Sequence, residues 1–370
     1  MKNGLQRKQI GDLCEVIAGQ SPEGKFYNNN GKGMPFYQGK KDFGEKFIED
    51  PTTWTTQITK IARKGDILMS VRAPVGPINY ATDEICIGRG LAAIRSGTAM
   101  NRDFLFYQLL YLQPDISGRE GAVFSSINKS EIESLSIAFA PLLEQKRIVG
   151  ILDEAFEGIA TAKANVEKNL QNAQALFESY LHNIFSDPYD GWEVKTLNQI
   201  SENLDSKRVP ITKNVRSQGK VPYYGASGIV DYVNDYIFNE DLLCVSEDGA
   251  NLLARTYPIA FSISGKSWVN NHAHVLRFEK IVTQKYVETY LNSIKLDDYI
   301  SGMAQPKLNQ AMLNRIPIPL PSLTEQNRLM TKIDELSNET KKLQTTYRQK
   351  LDALEELKKS LLNQAFNGKI

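Results

Sequence analysis

Cysteine, histidine and charge of one sign are all scarce in this sequence of 370 residues. The three cysteines, Cys14, Cys86 and Cys244, are odd in number and widely scattered. They offer neither a disulfide framework nor zinc-ligand spacing, so free thiols in a reducing compartment are expected. Two of the three histidines form His272-Ala-His274, which alternates like a strand and has no third or fourth ligand nearby, so no metal site is read there. No stretch approaches the roughly 20 apolar residues of a membrane span, and residues 1–10 carry no apolar signal region. A cytoplasmic address without membrane contact is the expectation. Lysine and arginine number 44 against 43 aspartates and glutamates, a balance of +1. That total lacks the basic footprint of most phosphate binders, although a local patch can sit inside a neutral sum. Also missing are a Gly-x4-Gly-Lys-Ser/Thr phosphate loop, an Asn/Asp-Pro-Pro-Tyr/Phe methyltransferase box and a nucleophile elbow. Gly88-Arg-Gly90 reads as a turn beside a strand rather than a cofactor cradle, and Glu247-Asp248, with no matched lysine motif, as a loop rather than a nuclease centre. A stand-alone enzyme is therefore not expected.

What is present suffices for folding: hydrophobic residues make up 41% and charged ones 24%. This composition and length fit about two or three globular domains. The most informative feature is an internal repeat. Glu144, Gln145, Arg147 and Asp153 match Glu325, Gln326, Arg328 and Asp334 at a constant offset of 181. Leu170, Leu176, Leu181 and Phe185 match Leu351, Leu357, Leu362 and Phe366 at the same offset. Both segments have helical periodicity. Ile148, Leu152, Ala155, Ile159, Ala162, Val166, Leu170, Ala173, Phe177, Tyr180 and Ile184 step by threes and fours, and Leu329, Ile333, Leu336, Leu343, Tyr347, Leu351, Leu354 and Leu361 follow the same frame after them. Such a stripe is a coiled-coil seam. Each helix starts after a proline with Glu-Gln in its first turn, where a carboxylate suits the dipole. At about 1.5 Å per residue each makes a rod of roughly 60 Å.

The intervening segments repeat more weakly. Ile10, Leu13, Glu15, Pro35 and Tyr37 correspond to Leu197, Ile200, Glu202, Pro222 and Tyr224; Ile127-Asn128 corresponds to Leu308-Asn309. Within each copy, short apolar runs such as residues 66–71, 85–87, 91–94, 242–245 and 275–278 lie between Gly-, Asn- and Pro-rich turns and read as strands. Helices are expected near 101–112 and 283–294. The expected fold is α/β (α+β mixed): globular domains at 1–140 and 188–320, separated by long helices at 141–187 and 321–370 that form an antiparallel coiled coil with pseudo-two-fold symmetry. Such a body suits a ligand two-fold in backbone and different at its two ends, as duplex DNA with two dissimilar half-sites is. The bland alternative is a coiled-coil scaffold or adaptor whose two heads bind proteins.

The duplicated Pro-x2–3-Glu-Gln-x-Arg-x5-Asp helix start, with Gly65-Asp-Ile-Leu-Met-Ser70, Gly88-Arg-Gly-Leu-Ala-Ala-Ile-Arg95 and Gly302-Met-Ala-Gln-Pro-Lys-Leu-Asn309, resembles the specificity subunit of type I restriction-modification enzymes. The resemblance covers essentially the whole chain. It implies two target-recognition domains, each reading half of a bipartite double-stranded DNA site, with the helical regions spacing them. It also implies two methyltransferase subunits and restriction subunits as partners. The chain itself would then need no cofactor, since S-adenosylmethionine and ATP would belong to those partners. The halves depart from one another: residues 118–128 of the first copy lack the Ala-Gln-Pro-Lys-Leu form, and residues 240–246 of the second replace Gly-Asp-Ile-Leu. They should recognise different sequences.

Base readout uses arginine or lysine on guanine, asparagine or glutamine on adenine, and small hydroxyls on either, with phosphate contacts around them. Candidates in the first domain are Gln38, Lys40, Lys41, Ser70, Arg72, Arg89, Arg119 and Ser125. In the second they are Lys207, Arg208, Tyr224, Ser227, Ser246, Asn251, Asn270, Asn271, His272, His274, Gln305 and Lys307. Each also has an ordinary reading as a solvated or turn-forming side chain. The paired Glu144/Gln145/Arg147/Asp153 and Glu325/Gln326/Arg328/Asp334 are candidates for a symmetric partner-docking surface, with helix capping and intrahelical salt links as the alternative. If partners supply much of the phosphate contact, the near-zero net charge no longer counts against DNA.

Overall fold

The computed structural model describes residues 5–117, 126–186, 191–302 and 305–370. The chain divides into two compact units, one of Met1–Glu167 with Gln349–Ile370, the other of Lys168–Arg348.

The first unit is built around an antiparallel four-stranded sheet in the order Cys14–Ala18, Leu91–Ser96, Ile67–Ser70, Ile78–Tyr80. Alternate side chains of a strand point to opposite faces. Ile67 and Met69 accordingly join Phe104 and Leu109 of the helix Arg102–Ser117, while Leu68 joins Tyr37, Ile87 and Ala93 on the other face. Both faces are covered, which is why this strand reads as an unbroken apolar run rather than an alternation. The second face is closed by a smaller sheet in the order Tyr27–Asn28, Trp54–Thr55, Met34–Tyr37, Ile85–Ile87, Ile61–Ala62, in which Tyr37 pairs with Ile87 in parallel. Gln6–Gln9 and Ser136–Phe139 form a two-stranded ribbon that ties the start of the domain to its end.

The second unit repeats this plan. Its main sheet runs Glu202–Asn203, Ala273–Arg277, Leu242–Ser246, Ala260–Ile263, and its helix is Ile281–Ser293. Leu243 and Val245 face Tyr286 and Leu291, while Cys244 faces Val269 and Val275. The smaller sheet again holds one parallel pair, Tyr224 with Val269, and the ribbon is Glu193–Thr196 with Pro317–Leu320. In both copies the asparagine of the weak repeat caps a short helix. Asn128 accepts from the Glu131 amide and Asn309 from the Met312 amide, each at 3.0 Å.

Two long helices, Leu142–Ser186 and Leu323–Phe366, contribute to the units. In the first unit they run antiparallel: Ile148 and Leu152 share a core with Leu362 and Phe366, Lys358 lies over the Phe156 ring, and Lys163 pairs with Glu355 at 3.0 Å. In the second, Ile184 and Phe185 pack with Leu329, Met330 and Ile333. All eleven seam positions read from the first helix are at least half-buried. The second helix brings one correction. Leu343 is 45% exposed, because the seam steps from Leu336 by fours through Thr340 to Gln344 before reaching Tyr347. Consecutive steps of four follow the 3.6-residue turn, whereas the expected 3.5 repeat places Leu343 inside. Among the described residues no helix is long and apolar enough to cross a membrane.

Candidate nucleic-acid interface

Four segments meet at one end of the main sheet of the first unit, and three backbone hydrogen bonds lace them together. The Gly88 amide donates to the Tyr37 carbonyl at 2.8 Å, the Val71 amide to that of Gly90 at 3.0 Å, and the Ile127 amide to that of Val71 at 3.0 Å. The second unit makes the same three bonds: Asn270 to Tyr224 at 3.0 Å, Glu247 to His272 at 2.9 Å, and Leu308 to Glu247 at 2.8 Å. Residues 38, 71–72 and 88–90 therefore stand where 225, 247–248 and 270–272 stand in the other copy. The frame is shared and the side chains on it are not.

In the first unit this frame gathers Gln38, Lys41 and Arg89 around one open groove of about 540 Å³. Ser21, Tyr27, Phe36, Asp42 and Thr53 help to line it, and the Tyr27 and Phe36 rings stack at 4.8 Å. Burial raises the Asp42 carboxyl above its usual value, against the opposing influence of Lys41. Lys40 and Arg72 are exposed, Lys40 in the short turn Lys40–Asp42 beside Lys41 and Arg72 in the loop laced to the Arg89 loop. Ser70 is a correction. It is buried, and its hydroxyl donates to the Arg72 carbonyl at 3.1 Å, because the last residue of a covered strand turns inward. Arg119 and Ser125 lie outside the described residues.

In the second unit Ser227, Asn271, His272, Gln305 and Lys307 are exposed around the laced loops, Tyr224 is half-buried, and Lys207 is exposed near the cluster described below. His272 Nδ1 lies 2.8 Å from Asp248, and Ser227 donates to the exposed Tyr257 hydroxyl at 3.0 Å. Five candidates serve the fold instead. Ser246 is buried and donates to the Ala226 carbonyl at 2.6 Å. Asn251 holds the turn at Thr256 and Tyr257, and Asn270 accepts from the His272 amide at 2.8 Å. Arg208 and His274 belong to an ionic cluster beneath the loops. Arg208 donates to Glu247 and to the Ala273 carbonyl, each at 2.7 Å; His274 meets Asp205 at 2.5 Å and the Leu308 carbonyl at 2.7 Å.

Asp205, Glu247 and His274 bring ligand-type atoms within 4.8 Å of one another. Those groups are already matched internally, since Arg208 and Lys307 approach Glu247 at 2.7 and 3.2 Å and both ring nitrogens of His274 face oxygen. The arrangement is a self-neutralised cluster rather than an open cation site. Burial alone pushes the Asp205 and Glu247 carboxyls up. Against burial, the largest single influence, the hydrogen bond and charge of His274 act on Asp205 with the Val275 amide and the Arg208 charge. The Arg208 and Lys307 hydrogen bonds act on Glu247 with the charges of His274 and Arg208, and together these influences hold both carboxyls below their usual range.

The paired helix-start residues split by role. Gln145 is buried: its amide nitrogen donates to the Ala140 and Ala99 carbonyls at 2.7 and 3.0 Å, and its oxygen accepts from the Asn101 amide at 2.7 Å. Gln326 is buried too, donating to the Pro321 carbonyl and accepting from Thr283, both at 2.8 Å. Both glutamines are corrected from docking candidates to anchors that fasten each long helix to its domain. Glu144 with Arg147 and Glu325 with Arg328 form solvent-facing pairs one turn apart. Asp153 accepts from the Tyr107 hydroxyl and lies 3.8 Å from Lys46, and Asp334 is exposed. Sequence reasoning missed Ser21, Tyr27, Phe36, Thr53 and Tyr257. Only the register of the small sheet and the loop packing bring them to the face, and no spacing in the sequence announces them.

The family described as Type I restriction modification DNA specificity domain matches residues 2–171 and again 189–353. A Methanocaldococcus jannaschii chain assigned by name as specificity subunit of the type I restriction enzyme MjaX is 42% identical over 159 residues, 42% of this chain and 37% of that relative. A Haemophilus influenzae chain assigned by name as specificity subunit S.HindORF215P is 32% identical over 145 residues, 39% of this chain and 37% of that relative. The chain thus spans little more than a third of the length of either. Among solved structures, a chain from a study of complex assembly and conformational transition in the type I restriction-modification system superposes with a TM-score of 0.81 over 100% of this chain and 99% of that one. The HsdS subunit from Thermoanaerobacter tengcongensis superposes at 0.64 over 100% and 98%. Both are 17% identical, so they bear on the fold alone.

Proposed function

We propose, from the premise that this chain belongs to the family of type I restriction-modification DNA specificity domains, that it is the DNA specificity subunit of such a complex. Each recognition domain reads one half of a bipartite site, and the paired helices set the spacer. The observation that carries this reading is the laced loop frame, made twice with the same backbone bonds and furnished with different side chains, as two unlike half-sites require. The chain is non-catalytic in this reading. S-adenosylmethionine and ATP belong to partner subunits, two methyltransferase subunits and the restriction subunits, and the complex works in the cytoplasm. One methyltransferase docks per half on the first turns of the long helices, where Leu143 is 83% and Leu323 46% exposed beside the Glu144–Arg147 and Glu325–Arg328 pairs. Lys40, Lys41, Lys207 and Lys307 contact phosphate; Gln38, Arg72, Arg89, Ser227, Asn271, His272 and Gln305 face bases.

The test exchanges residues 188–320 for the corresponding segment of a relative and maps methylated positions on genomic DNA by single-molecule sequencing. One half of the motif should change and the other persist. An unchanged motif, or a change in both halves, refutes the assignment. The purified chain alone, given DNA and S-adenosylmethionine, should transfer no methyl group. It should bind DNA weakly, because partners supply much of the phosphate contact.

A further inference from the structure

The two laced loop sets differ most in what becomes of arginine. In the second unit Arg208 is bonded to Glu247, Arg216 to Asp231, Arg255 to the Leu252, Leu291 and Ile294 carbonyls, and Arg277 to Glu202 and Glu240. The frame position corresponding to Arg89 is Asn271, and that corresponding to Arg72 is Asp248. In the first unit the Arg89 guanidinium is exposed and bonded to none of the described residues, while the backbone beneath it is fixed. Its amide donates to Ser21 Oγ at 3.2 Å, the flanking Gly88 and Gly90 amides donate to the Tyr37 and Gln38 carbonyls, and the Gly90 carbonyl accepts from Val71. Position 90 must be glycine, and position 88 is crowded. A Cβ at position 88 would fall 2.5 Å from Gln38 Oε1, and one at position 90 would fall 2.4 Å from the Gln38 carbonyl oxygen.

We infer that Arg89 is the residue that reads a guanine in the half-site bound by the first domain, an assignment that rests on the function proposed above. Its guanidinium presents the planar pair of donors that matches guanine O6 and N7 in the major groove. A free fork on a pinned root loses little freedom on docking, which favours a specific contact over a loose one. Gln38 stands beside it with its oxygen engaged by Ser21 at 3.0 Å, leaving the amide nitrogen to donate to a neighbouring acceptor. Lys41 in the same groove supplies a phosphate contact. The second domain has no such fork on its frame, so amides, hydroxyls and the His272 imidazole do its reading.

The experiment co-expresses the full chain with the methyltransferase subunit it assembles with and maps the motif for the parent, Arg89→Ala and Arg89→Lys. The half that persists when residues 188–320 are exchanged identifies the first domain's half-site. The parent half-site should contain a guanine. Arg89→Ala should accept any base there and methylate the original site roughly tenfold to a hundredfold more slowly, the discrimination one bidentate pair supplies. Arg89→Lys should relax the same position although it keeps the charge, and it decides the matter should Arg89→Ala fail to assemble. A motif retained by Arg89→Lys, a relaxed position that is not guanine, or a half-site without guanine overturns the inference. Absence of any bipartite motif, or a segment exchange that alters both halves, overturns the underlying function instead.

Discussion

Beneath the laced loops the two units are made of opposite materials. In the second, Asp205, His274 and Glu247 form an ionic cluster closed by Arg208; in the first, the corresponding positions are Ala18, Ala92 and Val71. Backbone hydrogen bonds hold the loops in both, so the side chains below are free to be apolar or charged. The choice has consequences above. An ionic underlay consumes arginine and leaves amides, hydroxyls and the His272 imidazole on the face, whereas an apolar underlay needs no counter-charge and leaves guanidinium forks exposed.

The largest expected difference comes from removing one member of the cluster. Arg208→Ala takes a cationic partner from two largely buried carboxylates and should cost about 3 kcal/mol, whereas Arg72→Ala should stay within about 0.5 kcal/mol. Denaturant unfolding of the two variants checks this, and equal losses would erase the contrast between the units. Next in size is a change that should strike both alike. Gln145→Ala and Gln326→Ala each leave buried backbone or hydroxyl partners unsatisfied and should each cost about 2 kcal/mol; a loss confined to one would show that the shared anchor is not shared in energy.

Acid should separate the units again, more gently. The Asp205 and Glu247 carboxyls titrate below their unfolded values, so the stability they contribute is complete above those ordinary values. It is lost as the pH falls through the folded ones, below about pH 4. Hydrogen exchange at stepped pH should therefore show the amides of Leu242–Ser246 and Ala273–Arg277 losing protection before those of Ile67–Ser70 and Leu91–Ser96. The reverse order would show that the ionic cluster contributes no pH-dependent stability. Smallest of all are Glu144→Ala and Glu325→Ala. They remove solvent-facing pairs one helical turn apart and should leave Tm unmoved in differential scanning calorimetry while weakening methyltransferase co-purification.

Much of this was legible in the letters. The stripe from Ile148 to Ile184 has one physical solution, a helix with a buried seam, and the apolar runs between turns had to be strands. The candidate residues were found as groups rather than individuals. Gln38, Lys41 and Arg89 do meet, but Ser70, Ser246, Asn251, Asn270 and His274 face inward. A polar letter at the end of a strand does not say whether its side chain turns to water or back to a carbonyl. Gln145 and Gln326 show the same blindness. Their place in a helix's first turn was plain, while the carbonyls, amide and hydroxyl they satisfy come from other stretches of chain.

The sequence by itself determined the duplication, the paired helices and the strand content, because periodicity and offset are local or repetitive and survive in one dimension. Tertiary structure alone decided which polar residues reach the face, since burial and hydrogen-bond partners depend on segments far apart in the chain. It also decided what the neutral net charge means. The second unit pairs Arg208, Arg216 and Arg277 with its own carboxylates, while the first leaves Arg72 and Arg89 to solvent.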